Sequence, residues 1–221
     1  MSRIVVKVGG AVAEASGEAV LALAAEHEVC VVHGAGPQIS LEMERAGINV
    51  EFVDGRRVTS PAALELVRAS FQRVNTLLCE AIGERAVPLF GDQIGLQAEP
   101  VPELGLVGNA LPSRPAAIVE ALDAGKIPVV APIAEGPLNV NADEAAAALA
   151  IGLSVDELLF LTDVDGLILD GSVVEEIGID AATELLDGGT LQGGIIPKLG
   201  AAVTAARNGV AATIGRTAVT A

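Results

Sequence analysis

The sequence predicts an α/β fold with a largely parallel sheet, and three observations carry that expectation. Short apolar runs with strand character alternate with segments of helical periodicity along nearly the whole chain. Glycine-marked turns follow several of these runs, as expected where strands of an open sheet hand over to helices. The 221 residues, 51% of them hydrophobic, suffice for one large domain or two lobes sharing a sheet.

The first strand is read at 3–8, followed by a helix at about 17–26 with Ser16 as its cap. A second strand, 29–32, runs into His33-Gly34-Ala35-Gly36-Pro37, where Pro37 opens a helix ending near Gly47. Residues 48–53 read as a strand that ends in Asp54-Gly55-Arg56-Arg57-Val58-Thr59. Ser60-Pro61 starts a long helix to about Arg85, with a break expected near Asn75. The stretch 87–109, rich in Gly and Pro, is expected to form strands and a hairpin over one lobe. A helix at 114–124 precedes a buried strand at 127–133. Asn139-Val140-Asn141-Ala142-Asp143 leads into an Ala-rich helix, 144–152. A strand at 158–161 closes with Thr162-Asp163-Val164-Asp165-Gly166-Leu167. The helix at 195–208 has Lys198 near its start, and 210–214 is read as the last clear strand. No internal repeat or low-complexity linker interrupts the pattern.

Thirteen basic against twenty-nine acidic side chains give a net charge of −16, which repels nucleic acid and anionic membranes. An anion site in such a chain must concentrate its few cations locally. No apolar run reaches the ~18 residues needed to cross a bilayer, and the N-terminus lacks the order of a signal peptide, so a cytoplasmic protein is expected. Cys30 and Cys79, without a CxxC or nearby His, are read as reduced core residues.

Only three of the basic residues are lysines, and two of them, Lys7 and Lys198, sit in glycine-marked segments. Lys126 follows Gly125 and reads as a turn charge. A lysine ammonium on a flexible stem suits a phosphoryl group whose charge moves, and neighbouring glycines let backbone N–H groups approach its oxygens. Gly9-Gly10 and Gly34-Ala35-Gly36 both follow strands. Neither is a P-loop, and the second lacks the third glycine of a dinucleotide fingerprint, with Ile39 in its place. Asp143 is either the cap of the Ala-rich helix or a carboxylate that holds lysine ammonium groups in position. Asp163 and Asp165 are either local turn residues or part of a nucleotide-facing loop. His33 reads as a structural histidine, and no convincing general base remains. A carboxylate acceptor needs none, because its pKa near ~4.3 leaves it ionised at neutral pH.

Taken in order, Lys7-Val8-Gly9-Gly10, His33-Gly34-Ala35-Gly36-Pro37-Gln38, Gly55-Arg56-Arg57-Val58-Thr59 and Leu138-Asn139-Val140-Asn141-Ala142-Asp143 form a series. Leu161-Thr162-Asp163-Val164-Asp165-Gly166-Leu167 and Gly193-Gly194-Ile195-Ile196-Pro197-Lys198 complete it. With these six segments the chain resembles the N-acetylglutamate kinase family over nearly its whole length. The resemblance implies the amino-acid-kinase fold: a three-layer sandwich with an open, mainly parallel sheet between helices. It implies one domain with an acceptor-binding and dimerisation lobe at about 1–137 and a nucleotide lobe at 138–221. It further implies transfer of the γ-phosphoryl group of ATP, with Mg²⁺, to the side-chain carboxylate of N-acetyl-L-glutamate in arginine biosynthesis.

By position, the resemblance makes Lys7 and Lys198 the residues that stabilise the moving phosphoryl group, with Asp143 organising both. Arg57 and Asn139 would bind the acceptor's α-substituents, and Ala35 and Gly36 would offer N–H groups to its reacting carboxylate. Gly9 and Gly10 would contact ATP phosphates. Asp163, Val164, Asp165, Gly166, Leu167, Ile168, Thr190, Leu191 and Gln192 would face the adenosine, and no protein-held metal is expected. The family usually has glycine where Ala35 stands; were that position left-handed, alanine would cost ~1 kcal/mol and narrow the site. The resemblance also leads one to expect a further helix and strand after Ile214, so a trimmed nucleotide lobe is anticipated. A homodimer without arginine feedback is expected, since the N-terminal extension of hexameric relatives is not seen. Other readings are a kinase for carrier-protein-bound aminoadipate or glutamate, a non-catalytic amino-acid-binding relative, and a dinucleotide-dependent oxidoreductase. The sparse basic residues disfavour the first, the retained Lys7, Asp143 and Lys198 the second, and the missing third glycine the last.

Overall fold

The computed structural model describes residues 1–162 and 164–220. Its centre is set by runs of Val, Ile and Leu without polar alternation, the composition of strands covered on both faces. The last five residues of β1 (Ser2–Val8) and of β2 (His27–His33) are all buried. Between and after them lie α1 (Gly17–Leu23) and α2 (Gly36–Arg45). The chain then makes a small hairpin, β3 (Phe52–Val53) and β4 (Arg56–Arg57), and enters α3 (Pro61–Ile82). Next come β5 (Ala86–Phe90), α4 (Gly91–Ile94), β6 (Ala98–Pro100) and β7 (Val107–Ala110). They are followed by α5 (Ala116–Asp123), β8 (Ile127–Ala131) and β9 (Ile133–Ala134).

The second half opens with β10 (Leu138–Val140), α6 (Ala142–Leu153) and β11 (Glu157–Leu161). A hairpin of β12 (Ile168–Leu169) and β13 (Ser172–Val173) precedes β14 (Glu176–Gly178) and α7 (Ile179–Asp187). The described chain finishes with α8 (Ile195–Arg207), β15 (Ala211–Ile214) and β16 (Thr217–Thr220).

Eight strands share one sheet in the order β14-β16-β15-β11-β1-β2-β8-β5, and a second sheet has the order β6-β7-β10-β9. From β15 across to β5 every pairing of the large sheet is parallel; β16 runs antiparallel to β15. Strand alternation sends Ile4, Val6 and Val8 into one apolar core with α2 and α3, and Val5 into another with α6 and α8. Helices cover both faces, which is the three-layer α/β architecture expected.

Several elements differ from expectation for identifiable reasons. Ser16 does not cap α1; its Oγ donates to the Val12 carbonyl instead. The expected break in α3 is absent because Asn75 satisfies itself sideways, donating from Nδ2 to Val129 O at 2.9 Å. The strand expected at 48–53 shortens to Phe52–Val53, turned by Asp54 and Gly55 at φ of 48° and 76°. Beyond Ile214, a further strand, β16, adds to the sheet.

Two glycines on packed helices behave in opposite ways. A Cβ on Gly152 of α6 would collide with the backbone of Ser113, whereas one on Gly200 of α8 meets nothing within 4 Å. Gly152→Ala is expected to lower unfolding stability by about 1–3 kcal/mol, and Gly200→Ala to raise it by about 0.5–1 kcal/mol. Urea denaturation of the two variants checks both signs.

Candidate active site

Alternation along β1 decides where the first ammonium goes. Val5 and Lys7 share a face of the strand, and Val5 joins the core that holds α6. Lys7 is 5% exposed, and its Nζ lies 2.8 Å from Oδ1 of Asp143 at the start of α6. Asp143 is available for this because Asn141 caps the helix. The Asn141 Oδ1 accepts from the amides of Asp143 and Glu144 at 2.8 and 3.3 Å. The capping reading of Asp143 is therefore overturned by its neighbour.

The two glycine turns pack directly on each other. The Gly34 amide donates to Val8 O at 2.9 Å, and Gln38 Nε2 donates to Gly10 O at 2.9 Å. A Cβ on Gly10 would lie 2.8 Å from the Ala35 Cα, so this approach requires glycine. Ala35 itself has φ −145°, and the cost of a left-handed alanine does not arise. Its methyl is buried in the α2–α3 core, and space around Gly36 stays open.

Arg57, on β4, is 6% exposed. Its Nη2 donates to Gly36 O at 3.1 Å and Ser40 Oγ at 2.9 Å, while the guanidinium lies 4.5 Å from the Phe52 ring centre. Among the described residues no carboxylate forms an ion pair with it. Burial lowers its pKa from the ordinary value. Asn139 on β10 donates from Nδ2 to Thr59 Oγ1 at 3.0 Å, and Thr59 in turn donates to Arg57 O at 2.7 Å.

A cavity of about 410 Å³ gathers Lys7, Gly9, Gly10, Ala35, Gly36, Arg57, Asn139, Asp143 and Lys198. Its described charged lining is Lys7, Arg56, Arg57 and Lys198 against the single carboxylate of Asp143. In a chain of net charge −16 this is a local reversal of sign. Lys198 stands in the first turn of α8, where its Nζ donates to Gly194 O at 3.1 Å. The ion pair of Asp143 is with Lys7; both ammonium groups border the same cavity.

A second cavity of about 640 Å³ adjoins the first, since Thr162, Gly194 and Lys198 line both. Val164, Gly166, Leu167, Ile168, Thr190, Leu191 and Gln192 line it. Asp165 does not; its carbonyl accepts from the Arg216 amide at 2.7 Å, and its side chain is exposed. Asp163 lies outside the described residues. The 164–168 loop is fixed by a residue the sequence reading passed over. Thr217 Oγ1 accepts from the Leu167 amide at 2.8 Å and donates to Val174 O at 2.6 Å. Gln38, Ser40 and Asn141 were also missed; of these only Asn141, a favoured capping type one residue before a helix, carried a readable signal.

His33 is fully buried, 3.1 Å by Nε2 from Asn75 Nδ2 and edge-on to Phe71. Burial holds its pKa down to about 4, with the Gly34 carbonyl opposing and Lys7 adding to the shift. The ring is neutral and structural. Cys30 and Cys79 are free thiols whose pKa values burial pushes up to about 12 and about 11. Among the described residues no helix is long and apolar enough to cross a membrane.

The sequence pattern of the amino acid kinase family matches residues 2–215. An acetylglutamate kinase from Nocardioides sp. is 45% identical over 201 residues, covering 81% of this chain and 64% of that protein. Another from Rubrobacter xylanophilus is 40% identical, covering 97% and 88%. A solved Streptococcus mutans structure superposes with a TM-score of 0.88 at 30% identity over 98% of both chains. The carbamate kinase from Giardia lamblia bound to AMP-PNP, at 17% identity, a TM-score of 0.72 and coverage of 96% and 91%, shares the fold.

The buried imidazole generates a pH dependence with a defined sign. An unfolded histidine takes up its proton near pH 6.5, and folded His33 only near 4. Its share of stability is thus full above pH 6.5 and is lost as pH falls toward 4, by on the order of 3 kcal/mol. His33→Gln should flatten the stability–pH curve in that window relative to the parent, as read by denaturation at successive pH values.

Proposed function

The chain belongs to the amino acid kinase family, and we propose that it transfers the γ-phosphoryl group of ATP to the side-chain carboxylate of N-acetyl-L-glutamate. The product is N-acetyl-L-glutamyl 5-phosphate, an intermediate of arginine biosynthesis. One observation carries the reading: a buried guanidinium, Arg57, with no carboxylate partner among the described residues, borders the same cavity as the Lys7–Asp143 pair. A fixed carboxylate receptor and a phosphoryl receptor in one space suit an acceptor carrying two carboxylates.

Arg57 takes the α-carboxylate in this reading, with Asn139 beside it for the acylated nitrogen. The backbone N–H groups at Ala35 and Gly36 orient the reacting carboxylate. One of its oxygens attacks the γ-phosphorus; the new O–P bond forms as the bond to the β–γ bridging oxygen breaks, and ADP leaves with that electron pair. No proton moves, because the attacking group is already ionised, and the role of the protein is positioning and charge. Lys7, held by Asp143, meets the phosphoryl oxygens from the sheet, and Lys198 meets them from the side of the second cavity. Gly9 and Gly10 approach the phosphates with backbone N–H groups, and the 164–168 loop with Thr190 to Gln192 surrounds the adenosine. Mg²⁺ held by the nucleotide phosphates would neutralise part of their charge. The sheet boundary between β1 and β11 supports dividing the domain into an acceptor lobe, 1–137, and a nucleotide lobe, 138–221.

A coupled assay with ATP, Mg²⁺ and N-acetyl-L-glutamate, with hydroxylamine trapping of the acyl phosphate, should show ADP release that requires the acceptor. Lys198→Ala is expected to lower kcat by roughly 10²–10³-fold. Arg57→Ala is expected to raise the acceptor KM by roughly 10–100-fold with less change in kcat. Turnover only of carrier-linked glutamate or aminoadipate would overturn the acceptor assignment. Calorimetric binding of N-acetylglutamate without turnover would point to a sensor.

A further inference from the structure

The hairpin that carries Arg57 has little to rest on. Each strand contributes two residues, and a lone two-stranded hairpin is marginal in water. Phe52 and Val53 remain 54% and 39% exposed, so apolar packing does not seat it. It has open space on both sides: Gly55 and Arg56 line the acceptor cavity and also a neighbouring cavity of about 760 Å³ between α6 and α8. Its position must therefore come from polar contacts made beyond the hairpin itself.

Arg57 itself bonds to Gly36 O and Ser40 Oγ of α2, and the contacts of the hairpin's other residues fall on the first turn of α6. Asn141 Nδ2 donates to Gly55 O at 3.1 Å, and Glu144 Oε1 lies 2.9 Å from Arg56 Nη2, with both side chains about a quarter exposed. Alternation on β4 turns Arg56 away from Arg57, and the 100° step along α6 turns Glu144 away from Asp143. Consecutive carboxylates thus make consecutive ion pairs, Asp143 to Lys7 at 2.8 Å and Glu144 to Arg56 at 2.9 Å. One helical turn holds both the phosphoryl-side cation and the strand that presents the acceptor-side cation.

We propose that Glu144, through its ion pair with Arg56, is a positioning residue that latches the β3–β4 hairpin onto α6 and so sets Arg57 for the acceptor. The inference rests on the acceptor role given to Arg57 above, but the latch itself can be read without turnover. Removal of the carboxylate lets the hairpin lift, so acceptor binding suffers while the nucleotide side and the Lys7–Asp143 pair stay as they are.

The test combines hydrogen–deuterium exchange of the unliganded full chain with steady-state kinetics. Glu144→Ala should speed exchange in peptides covering 50–58, including the Val58 amide now bonded to Glu51 O, and leave β1 and β11 protected. It should raise the acceptor KM by about three- to tenfold, with kcat and the ATP KM retained. Glu144→Gln, which keeps an acceptor oxygen for Arg56, should fall between parent and Glu144→Ala. In a cycle with Arg56→Leu, the double variant should be no worse than the poorer single one. Unchanged exchange in the hairpin, additive effects, or a loss confined to thermal stability would overturn the latch. If the parent turns over no acceptor, the acceptor reading fails, and the exchange result decides the latch alone.

Discussion

Lys7 and Asp143 bring opposite charges 2.8 Å apart at positions that are nearly closed to water, and the architecture of the site follows from that constraint. Removing two ions from water costs several kcal/mol each, recovered only when the partners hold each other closely. The pair fixes the start of α6 against the carboxyl end of β1, although the two come from opposite halves of the chain. Loss of either partner strands the other, at a cost of about 3–5 kcal/mol. The sheet therefore sets the spacing of the cleft, since Lys7 is a strand residue flanked by parallel neighbours on both sides, in register with Val32 and Phe160. Strand β4 then adds Arg57 on one side and helix α8 adds Lys198 on the other.

What could be read in the sequence follows from how locally each feature is encoded. β1, β2 and β8 are runs buried on both faces along most of their length, and β11 is an apolar run that buries alternate residues; such runs announce themselves. The glycine turns were legible because each follows a strand directly. The continuity of α3 was not, because the bond from Asn75 to Val129 O depends on a strand that arrives much later in the chain. The segment from β12 to α7 was unread for a related reason: its strands have two or three residues each and draw their order from neighbours such as Thr217. Asp143 stayed ambiguous until Asn141 was seen to take the cap, a choice between two plausible neighbours that pattern alone does not make. The Arg56–Glu144 contact had no local signal at all, being a meeting across the cleft.

Electrostatics gives the site its selectivity at two ranges. The acidic exterior opposes anions everywhere, yet four of the thirteen basic side chains line one cavity of about 410 Å³. At physiological salt the exterior repulsion is screened beyond roughly 8 Å, whereas contacts in a buried cleft are screened far less. An anion approaching the protein therefore meets weak opposition outside and undiminished attraction inside. The cost of gathering these cations falls on the free protein, and three of the four are held by different devices. Lys7 has a buried carboxylate, Arg57 has Ser40, the Gly36 carbonyl and the Phe52 face, and Arg56 has Glu144. Of the two carboxylates, Asp143 lines this cavity, whereas Glu144 lines the neighbouring one. Arg57, by contrast, borders the cavity with no carboxylate partner among the described residues. That guanidinium, already desolvated and oriented, is what a carboxylate of the proposed acceptor would neutralise.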